Sequence, residues 1–309
     1  MVIPTWNEAE SIAALVRNVQ LQGGPGITVE VVVSDDGSTD GTVAAARSAG
    51  AVVVERPAGA PAGNPAAARN RGASASSGDP IVFLDADCTP ADNWLATLLA
   101  RHDAGEVIVG GSLDRPPGLP TTARLDYYCG WYHVHSRRPA GPVSNHPPGN
   151  LSIRRSAFFA TSGFSERQPL AYAHEELVLQ SQLARAGHPV WFEPRAVAYH
   201  HNRPGFGNLL RRNYRWAYSA IGAKAETGAA RLAGLYRHPW LLVALSPLLG
   251  VAQAGYIVAL WLRAGVMEPL VLAPAVLAAR VAYGAGMMSG GIRWLRSRGE
   301  SAGYRPRWE

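Results

Sequence analysis

Cysteine is scarce in this 309-residue chain, and so are charged side chains and glycine-rich nucleotide loops. The two cysteines, Cys88 and Cys129, form neither a CxxC pair nor a metal-ligand cluster, so a reducing compartment is the simpler expectation. The sequence lacks a G-x-G-x-x-G fingerprint, which argues against an NAD-dependent enzyme. It also lacks a Walker A loop, which argues against a P-loop NTPase.

Charged residues make up 17% of the chain and apolar residues 47%, which is a low charged fraction for a fully soluble protein. The net charge of +6 suits nucleic acid, anionic lipid or phosphorylated substrates. An arginine-rich composition without a specific partner would give the same value. The composition therefore directs attention first to membrane segments.

The C-terminal part of the chain contains two long apolar stretches. Residues 239–262 have no charged side chain and reach the length of about 20 residues that a bilayer-spanning helix needs. Residues 269–292 form a weaker stretch that Arg280 interrupts. Arginines flank the pair, and the positive-inside rule then places both ends in the cytoplasm. These flanking residues are Arg231, Arg237, Arg293, Arg296 and Arg298. The alternative is a pair of buried core helices.

Four regions are predicted: an α/β domain (1–225), an amphipathic linker (226–238), a transmembrane helical hairpin (239–295) and a basic cytoplasmic tail (296–309). Up to about residue 115, short apolar runs alternate with helical patterns, which predicts a mostly parallel sheet flanked by helices. Ligands bind such sheets beyond the carboxyl ends of the strands. Asp35–Asp36 and Asp85–Asp87 follow two of these strands, so they should face one crevice.

Other parts of the α/β domain give weaker signals. Residues 116–150 are rich in Pro, Tyr, Trp and His and are expected to be an irregular segment over the active face. A helix ending at Gly187, short strands over 188–201 and a basic amphipathic helix over 205–225 follow. Near the N-terminus, Asn7 or Glu8 is expected to cap the first helix.

The acids at the strand ends have two interpretations. Asp85 and Asp87 share one face of an extended segment and can hold a hard divalent ion that binds a diphosphate. Alternatively, Asp87 or Thr89 is the N-cap of the next helix. Asp36 can accept a hydrogen bond from a base or a ribose, or it can belong to the turn chemistry of DDGSTD.

Five segments occur in an order that resembles the family 2 glycosyltransferases: VIPTWNEAESI, VVVSDDGSTDGT, ARNRGASASSGDPIVFLDAD, GNLSIRRSAFFATSGFSE and HEELVLQSQLARAG. The resemblance covers residues 1 to about 225 and is specific for the family but not for the substrate. It implies the α/β GT-A fold of nucleotide-diphospho-sugar transferases, and it makes residues 1–225 the catalytic domain.

The resemblance also implies a role for each matching position. Six residues line the nucleotide side: Pro4, Thr5, Asn7, Glu8, Arg69 and Asn70. Asp36 contacts uracil, Asp85 contacts both the nucleotide sugar and the metal, and Asp87 is the stronger metal ligand. The implied cofactor is Mg²⁺ or Mn²⁺.

Glu175 and Glu176 match a Glu-Asp pair whose second member is usually the catalytic base, although a Glu stands at the second position here. The alternative is a pair of acids that favour a helix N-terminus. His200 matches a histidine near the metal or the diphosphate, and the alternative is an ordinary surface or interface histidine.

The stretch RNYRW looks like the Q-x-x-R-W motif of processive members of the family. Arg212 stands at the Gln position, and Arg215 and Trp216 match the rest, so these three residues are expected near the substrate. The departure at Arg212 favours single transfer over polymer synthesis. The alternative is a basic amphipathic helix that lies on the membrane surface.

The residues and the resemblance together predict a membrane-anchored, inverting glycosyltransferase whose nucleotide-diphosphate donor is expected to be a UDP-sugar. Glu176 removes the acceptor proton, and the metal stabilises the departing diphosphate. The expected acceptor is a membrane-associated lipid or glycan. The expected location is the plasma membrane with a cytoplasmic catalytic domain, without a nucleic-acid partner. Two alternatives stay open: a polyprenyl-phosphate glycosyltransferase, and a non-catalytic membrane module that retains the fold.

Overall fold

The computed structural model describes residues 1–167, 173–227, 235 and 238–296. The described residues form a nine-stranded sheet in the order β3-β2-β1-β4-β8-β6-β9-β5, with β7 beside β9. The strands are β1 (Val2–Thr5), β2 (Val32–Asp35), β3 (Val52–Glu55), β4 (Ile81–Leu84), β5 (Cys88–Pro90), β6 (Ile108–Asp114), β7 (Gly141–Val143), β8 (Asn150–Ile153) and β9 (Val190–His200).

The sheet is parallel in its N-terminal half and mixed beyond it. Strands β1 to β4 all run in one direction, so Asp35–Asp36 and Asp85–Asp87 lie at the same edge of the sheet. Strand β8 is antiparallel to both β4 and β6, while β6 and β9 are parallel. The expectation of a mostly parallel sheet is therefore correct for the first four strands and for the pair β6 and β9, while β5, β7 and β8 pair antiparallel.

Helices cover both faces of the sheet and continue to its C-terminal side. They are α1 (Ile12–Gln20), α2 (Thr42–Ser48), α3 (Pro65–Ala75), α4 (Trp94–Asp103), α5 (Thr121–Gly130), α6 (Arg155–Phe159), α7 (Glu176–Arg185), α8 (Phe206–Thr227), α9 (Pro239–Arg263), α10 (Glu268–Val271) and α11 (Ala273–Arg296). Helix α3 begins at Pro65, because the Asn64 side chain caps the N–H of Ala67 and Pro65 needs no donor at the first position.

Three local expectations are wrong. Helix α1 begins at Ile12 rather than after Asn7 or Glu8, since a turn at residues 8–11 precedes it. The segment expected to be irregular contains helix α5, which is enclosed by its neighbours and so has no polar face to reveal its period. The short strands expected over 188–201 are one strand, β9, which stays continuous because a bulge opposite Gly111/Ser112 takes up the extra residues.

Helices α8, α11 and α9 pack side by side as one layer. Glycines let their backbones approach closely: a Cβ on Gly286 would lie 2.2 Å from the Tyr214 carbonyl, and one on Gly290 would lie 2.4 Å from the Tyr218 carbonyl. A Cβ on Gly250 of α9 would meet the Arg280 carbonyl of α11 at 2.5 Å. Since α8 also packs along α5 and α7, the layer lies against the α/β domain.

Among the described residues, one helix is long and apolar enough by length and composition to cross a membrane, namely Trp240–Arg263. The second predicted span, now α11, does not meet that description, and its Arg280 is buried against α5. The turn between the two helices contacts the α/β domain, because Glu268 binds Arg124 and Tyr128 at 2.6 Å each. A spanning hairpin would instead carry this turn across the bilayer.

Several parts of the predicted membrane topology lie outside the described residues. They include Arg231, Arg237 and Arg298, most of the linker, and the tail beyond residue 296.

Candidate active site

The loop after β1 is fixed to the loop after β2. Asn7, at a φ of 56°, accepts a hydrogen bond from the N–H of Thr39 at 2.9 Å and donates its own N–H to Ser38 Oγ at 2.8 Å. Glu8 pairs with Arg203 at 2.6 Å, which links this loop to the segment after β9. Pro4 lies within β1. The two loops therefore form one wall at the carboxyl edge of the sheet.

Asp36 presents an acceptor atom at this wall. Its Oδ2 accepts the Asn64 N–H at 2.8 Å, while its Oδ1 is buried without a hydrogen-bond partner in the part of the chain that the structure describes. Thr5 Oγ1 is also buried without a hydrogen-bond partner among the described residues. The neighbouring Asp35 serves the turn, since it accepts the N–H groups of Gly37 and Ser38. Burying an acceptor without a donor is costly, so these two atoms are candidates for contact with a ligand.

Arg69 joins two motifs that are distant in the sequence. Its Nη1 lies 2.6 Å from Glu175, and its Nη2 lies 2.6 Å from Asp85. The guanidinium is buried, and such a buried cation is stable only when paired. The D-x-D segment and the acid pair therefore belong to a single site.

The other predicted member of this stretch, Asn70, has a structural contact. Its amide donates to the Phe164 carbonyl and accepts the Phe164 N–H, both at 2.9 Å. This clamp fastens the loop after α6 to α3. Its role toward a nucleotide stays a prediction.

Asp87 and His200 face each other, with 3.5 Å between a carboxylate oxygen and Nε2. Together with Cys88 they present ligand atoms that all lie within 4.8 Å of one another. A carboxylate and an imidazole fit a divalent ion, and the nitrogen ligand suits Mn²⁺ better than Mg²⁺, which prefers oxygen. Asp85, the other predicted ligand, is paired with Arg69 instead.

Glu176 begins helix α7 and is buried beside Glu175. Burial and the neighbouring Glu175 carboxylate raise the pKa of Glu176 to about 8. His174, directly before the pair, has a φ of 66°, a conformation that non-glycine residues rarely adopt. A carboxyl group held neutral near physiological pH is typical of a group that exchanges protons.

Helix α8 brings the predicted Arg212 and Trp216 close to the candidate metal ligands. Arg212 pairs with Asp126 of α5, and its guanidinium lies 5.1 Å from the Trp216 ring centroid. Trp131, directly after α5, lies between Trp216 and His200, with centroid distances of 5.9 and 4.8 Å. Arg215, by contrast, is exposed on the helix surface.

Comparison with protein-family models gives a match to Glycosyl transferase family 2 over residues 1–159, which is more than half of the chain. The protein belongs to glycosyltransferase family 2. It is therefore a glycosyltransferase, and the non-catalytic alternative falls away.

Two curated relatives show how far the similarity extends. Glycosyltransferase AglE of Haloferax volcanii is 29% identical over 70% of this chain and 70% of its own length. The pre-mycofactocin glycosyltransferase of Mycobacterium tuberculosis is 28% identical over 81% of this chain, which spans 53% of that relative.

Solved structures share the fold of this glycosyltransferase. The mannosyltransferase PcManGT of Pyrobaculum calidifontis, in complex with GDP-mannose and Mn²⁺, has a TM-score of 0.57 at 22% identity and covers 95% of this chain and 86% of its own. Glucosyl-3-phosphoglycerate synthase of Mycobacterium tuberculosis, in complex with Mn²⁺, UDP and its product, has a TM-score of 0.50 at 22% identity, with coverages of 75% and 80%. The fold is thus of the GT-A kind.

Sequence reasoning missed two residues of this glycosyltransferase site, Asp126 and Trp131. Both lie in the segment that was expected to be irregular, and both contact a predicted site residue. The available signal was Asp126 itself, a single acid within the aromatic run LDYYCGWY. An acid in such surroundings needs a partner.

Proposed function

We propose that this glycosyltransferase moves a sugar, with inversion, from a UDP-sugar to a lipid or glycan acceptor at a membrane. The observation that supports this most is the contact of Arg69 with both Glu175 and Asp85 at 2.6 Å. It joins the acceptor-side acids to the D-x-D segment, so donor and acceptor groups share one crevice.

The donor side is supported by the buried atoms at the loop wall. Asp36 Oδ1 and Thr5 Oγ1 can each meet a polar group of a base or ribose, and uracil offers one N–H donor for the carboxylate. Relatives of the same fold have been solved with UDP and with GDP-mannose. The proposed uracil contact of Asp36 favours UDP.

Asp87 and His200 would hold Mn²⁺ or Mg²⁺. Asp85, which is paired with Arg69, would contact the sugar donor. When bound, the ion neutralises charge on the departing diphosphate. The protein's own contribution is to fix the carboxylate and the imidazole at one strand end. The charge of Arg212 is paired with Asp126.

Glu176 is the proposed general base. In its ionised form it takes the acceptor hydroxyl proton while the oxygen attacks the anomeric carbon from the side opposite the diphosphate. Because the pKa of Glu176 is raised to about 8, the carboxylate is a stronger base than an ordinary glutamate once it is ionised. The acceptor then enters from the α7 side of the crevice.

Membrane attachment is proposed through the outer face of α9 and α11. Large apolar side chains are exposed there, including Leu248 at 68%, Val251 at 50% and Val281 at 52%. Since the turn of the helix pair contacts the α/β domain, we favour insertion of this face into one leaflet of the plasma membrane. The catalytic domain would lie on the cytoplasmic side.

One observation favours a second candidate, a polyprenyl-phosphate acceptor. A phosphate oxygen is already ionised and needs no base, and at pH 7 most of the Glu176 population is neutral because its pKa is about 8. Glu176 would then donate a hydrogen bond to the acceptor rather than remove a proton.

The test is transfer from radiolabelled UDP-sugars, with Mn²⁺, into membranes that contain the full-length protein. Label should enter a lipid or glycan fraction with the wild type and not with Asp87→Ala. Release of the label from lipid by mild acid would indicate a phosphate acceptor. Equal incorporation by both proteins would contradict the proposed site.

A further inference from the structure

Asp126 is a buried acid in the middle of α5, only 1% exposed. Its Oδ2 accepts a hydrogen bond from the Asn202 amide nitrogen at 2.6 Å and also pairs with Arg212. A buried carboxylate facing a guanidinium acts only as an acceptor. The amide of Asn202 must therefore point its NH₂ group at Asp126.

The orientation of Asn202 determines how His200 can bond. With the NH₂ group used by Asp126, the amide oxygen of Asn202 is the atom that lies 3.1 Å from His200 Nδ1. An amide oxygen cannot donate, so Nδ1 must carry the hydrogen. In the neutral imidazole the other nitrogen, Nε2, then presents a lone pair, and it lies 3.5 Å from the Asp87 carboxylate.

Residues at the C-terminal end of α5 also hold the ring plane of His200. Trp131 packs on the imidazole with centroids 4.8 Å apart. Gly130, the residue before Trp131, lets the backbone of α5 lie close to α8, since a Cβ on Gly130 would lie 3.0 Å from the Trp216 ring. Helix α5 and the residue after it therefore determine both the hydrogen position and the direction of His200.

We propose that Asp126 is a positioning residue of the metal site: through Asn202 it fixes His200 so that the Nε2 lone pair faces Asp87. This inference rests on the proposed function, because it assumes a divalent ion between Asp87 and His200. Residues that orient a metal ligand through hydrogen bonds usually contribute about 10- to 100-fold to metal affinity.

A purely structural role for Asp126 predicts different behaviour. If the carboxylate only neutralises Arg212, its loss alters α8 and α5 whether or not His200 is present. If it acts through His200, its loss has no further effect on metal affinity once His200 is removed. A double-mutant cycle separates these cases, because it measures the coupling itself.

The experiment is a Mn²⁺ titration of the purified full-length protein in the presence of UDP, with free Mn²⁺ followed by its electron paramagnetic resonance signal. Asp126→Ala removes the acceptor of the Asn202 amide and should weaken Mn²⁺ binding about 10- to 100-fold. His200→Ala should weaken it as well, and Asp126→Ala/His200→Ala should match His200→Ala alone. Asn202→Ala should reproduce the effect with the Asp126–Arg212 pair intact, which covers the case that Asp126→Ala does not fold.

Glu268→Ala is the matched control. It removes contacts to Arg124 and Tyr128 of the same helix, α5, on the side away from the metal site, so Mn²⁺ affinity should not change. Wild-type Mn²⁺ affinity in Asp126→Ala would overturn the inference while the proposed function stands. The same holds if Asp126→Ala weakens Mn²⁺ binding as much in the His200→Ala background as in the wild type. Failure of the wild type to bind Mn²⁺, or unchanged binding by Asp87→Ala, would overturn both.

Discussion

Glu176 has a raised pKa and is the proposed general base, so its substitution tests both. Glu176→Gln keeps the size and removes the proton acceptor, so kcat should fall by roughly 10²- to 10⁴-fold while donor affinity barely changes. Glu176→Asp should keep part of the activity. With a pKa of about 8, wild-type kcat/KM should rise with pH up to that value. If Glu175→Gln is the damaging change and Glu176→Gln is mild, the roles of the two acids are reversed.

The same raised pKa predicts how stability depends on pH. Glu176 ionises near 4.5 in the unfolded chain and near 8 in the folded protein. Between these values the unfolded state loses the proton while the folded state keeps it, so stability falls as the pH rises through this window. Glu176→Gln should therefore have a higher Tm than the wild type at pH 8 and a similar Tm at pH 5. A gap that is the same at both pH values would contradict the assignment.

At the residue scale, sequence reasoning identified groups whose chemistry is unusual for their position. Asp36 and Asp87 follow buried strands; Asp36 Oδ1 has no hydrogen-bond partner among the described residues, and Asp87 lies 3.5 Å from His200. Sequence reasoning could not identify partners that only the folded chain brings together, such as Arg69 and Glu175, which are 106 positions apart. Asp126 was missed for the same reason.

At the element scale, close helix packing depends on glycine. Gly286→Ala would place a Cβ 2.2 Å from the Tyr214 carbonyl, so α11 and α8 must separate, at a cost of about 1–3 kcal/mol. Gly255→Ala on α9 meets nothing within 4 Å and should be neutral or stabilising, because Ala favours helix. The Tm of each variant in detergent checks this. Equal shifts for the two variants would refute the packing of α11 against α8.

Elements with a one-sided apolar pattern were the ones that could be predicted. Helix α1 buries Ile12, Leu15, Val16 and Val19 at helical spacing. Helix α5 is buried on nearly all of its faces, so its sequence has no period to detect. The antiparallel strand β8 depends on its neighbours in the sheet rather than on its own residues.

At the scale of the whole molecule, the outer apolar face of α9 and α11 should determine membrane binding. Leu248→Arg places a charge on this face, where insertion costs about 2.5–3.5 kcal/mol at the bilayer centre, so less protein should float with liposomes. Leu21→Arg is the control, since Leu21 is 82% exposed on the α/β domain. Equal flotation of the two variants would argue against the proposed face.

Topology at this scale could not be predicted from hydropathy. Length and composition favoured a spanning hairpin, which the structure does not show in the residues it describes; instead Arg280 binds the Cys129 carbonyl at 2.6 Å and Glu268 binds α5. These contacts depend on the fold of the α/β domain, which a window of 20 residues does not contain.

The most direct test of the central claim, that this crevice is a metal-dependent nucleotide-sugar site, is calorimetric titration of the purified protein with UDP. We expect binding with Mn²⁺ present and little binding in EDTA. Asp36→Ala should weaken UDP binding at least tenfold, at a cost of about 1.4 kcal/mol or more, and Asp87→Ala should abolish the response to Mn²⁺. Absence of UDP binding with Mn²⁺, or wild-type binding by both variants, would contradict the claim.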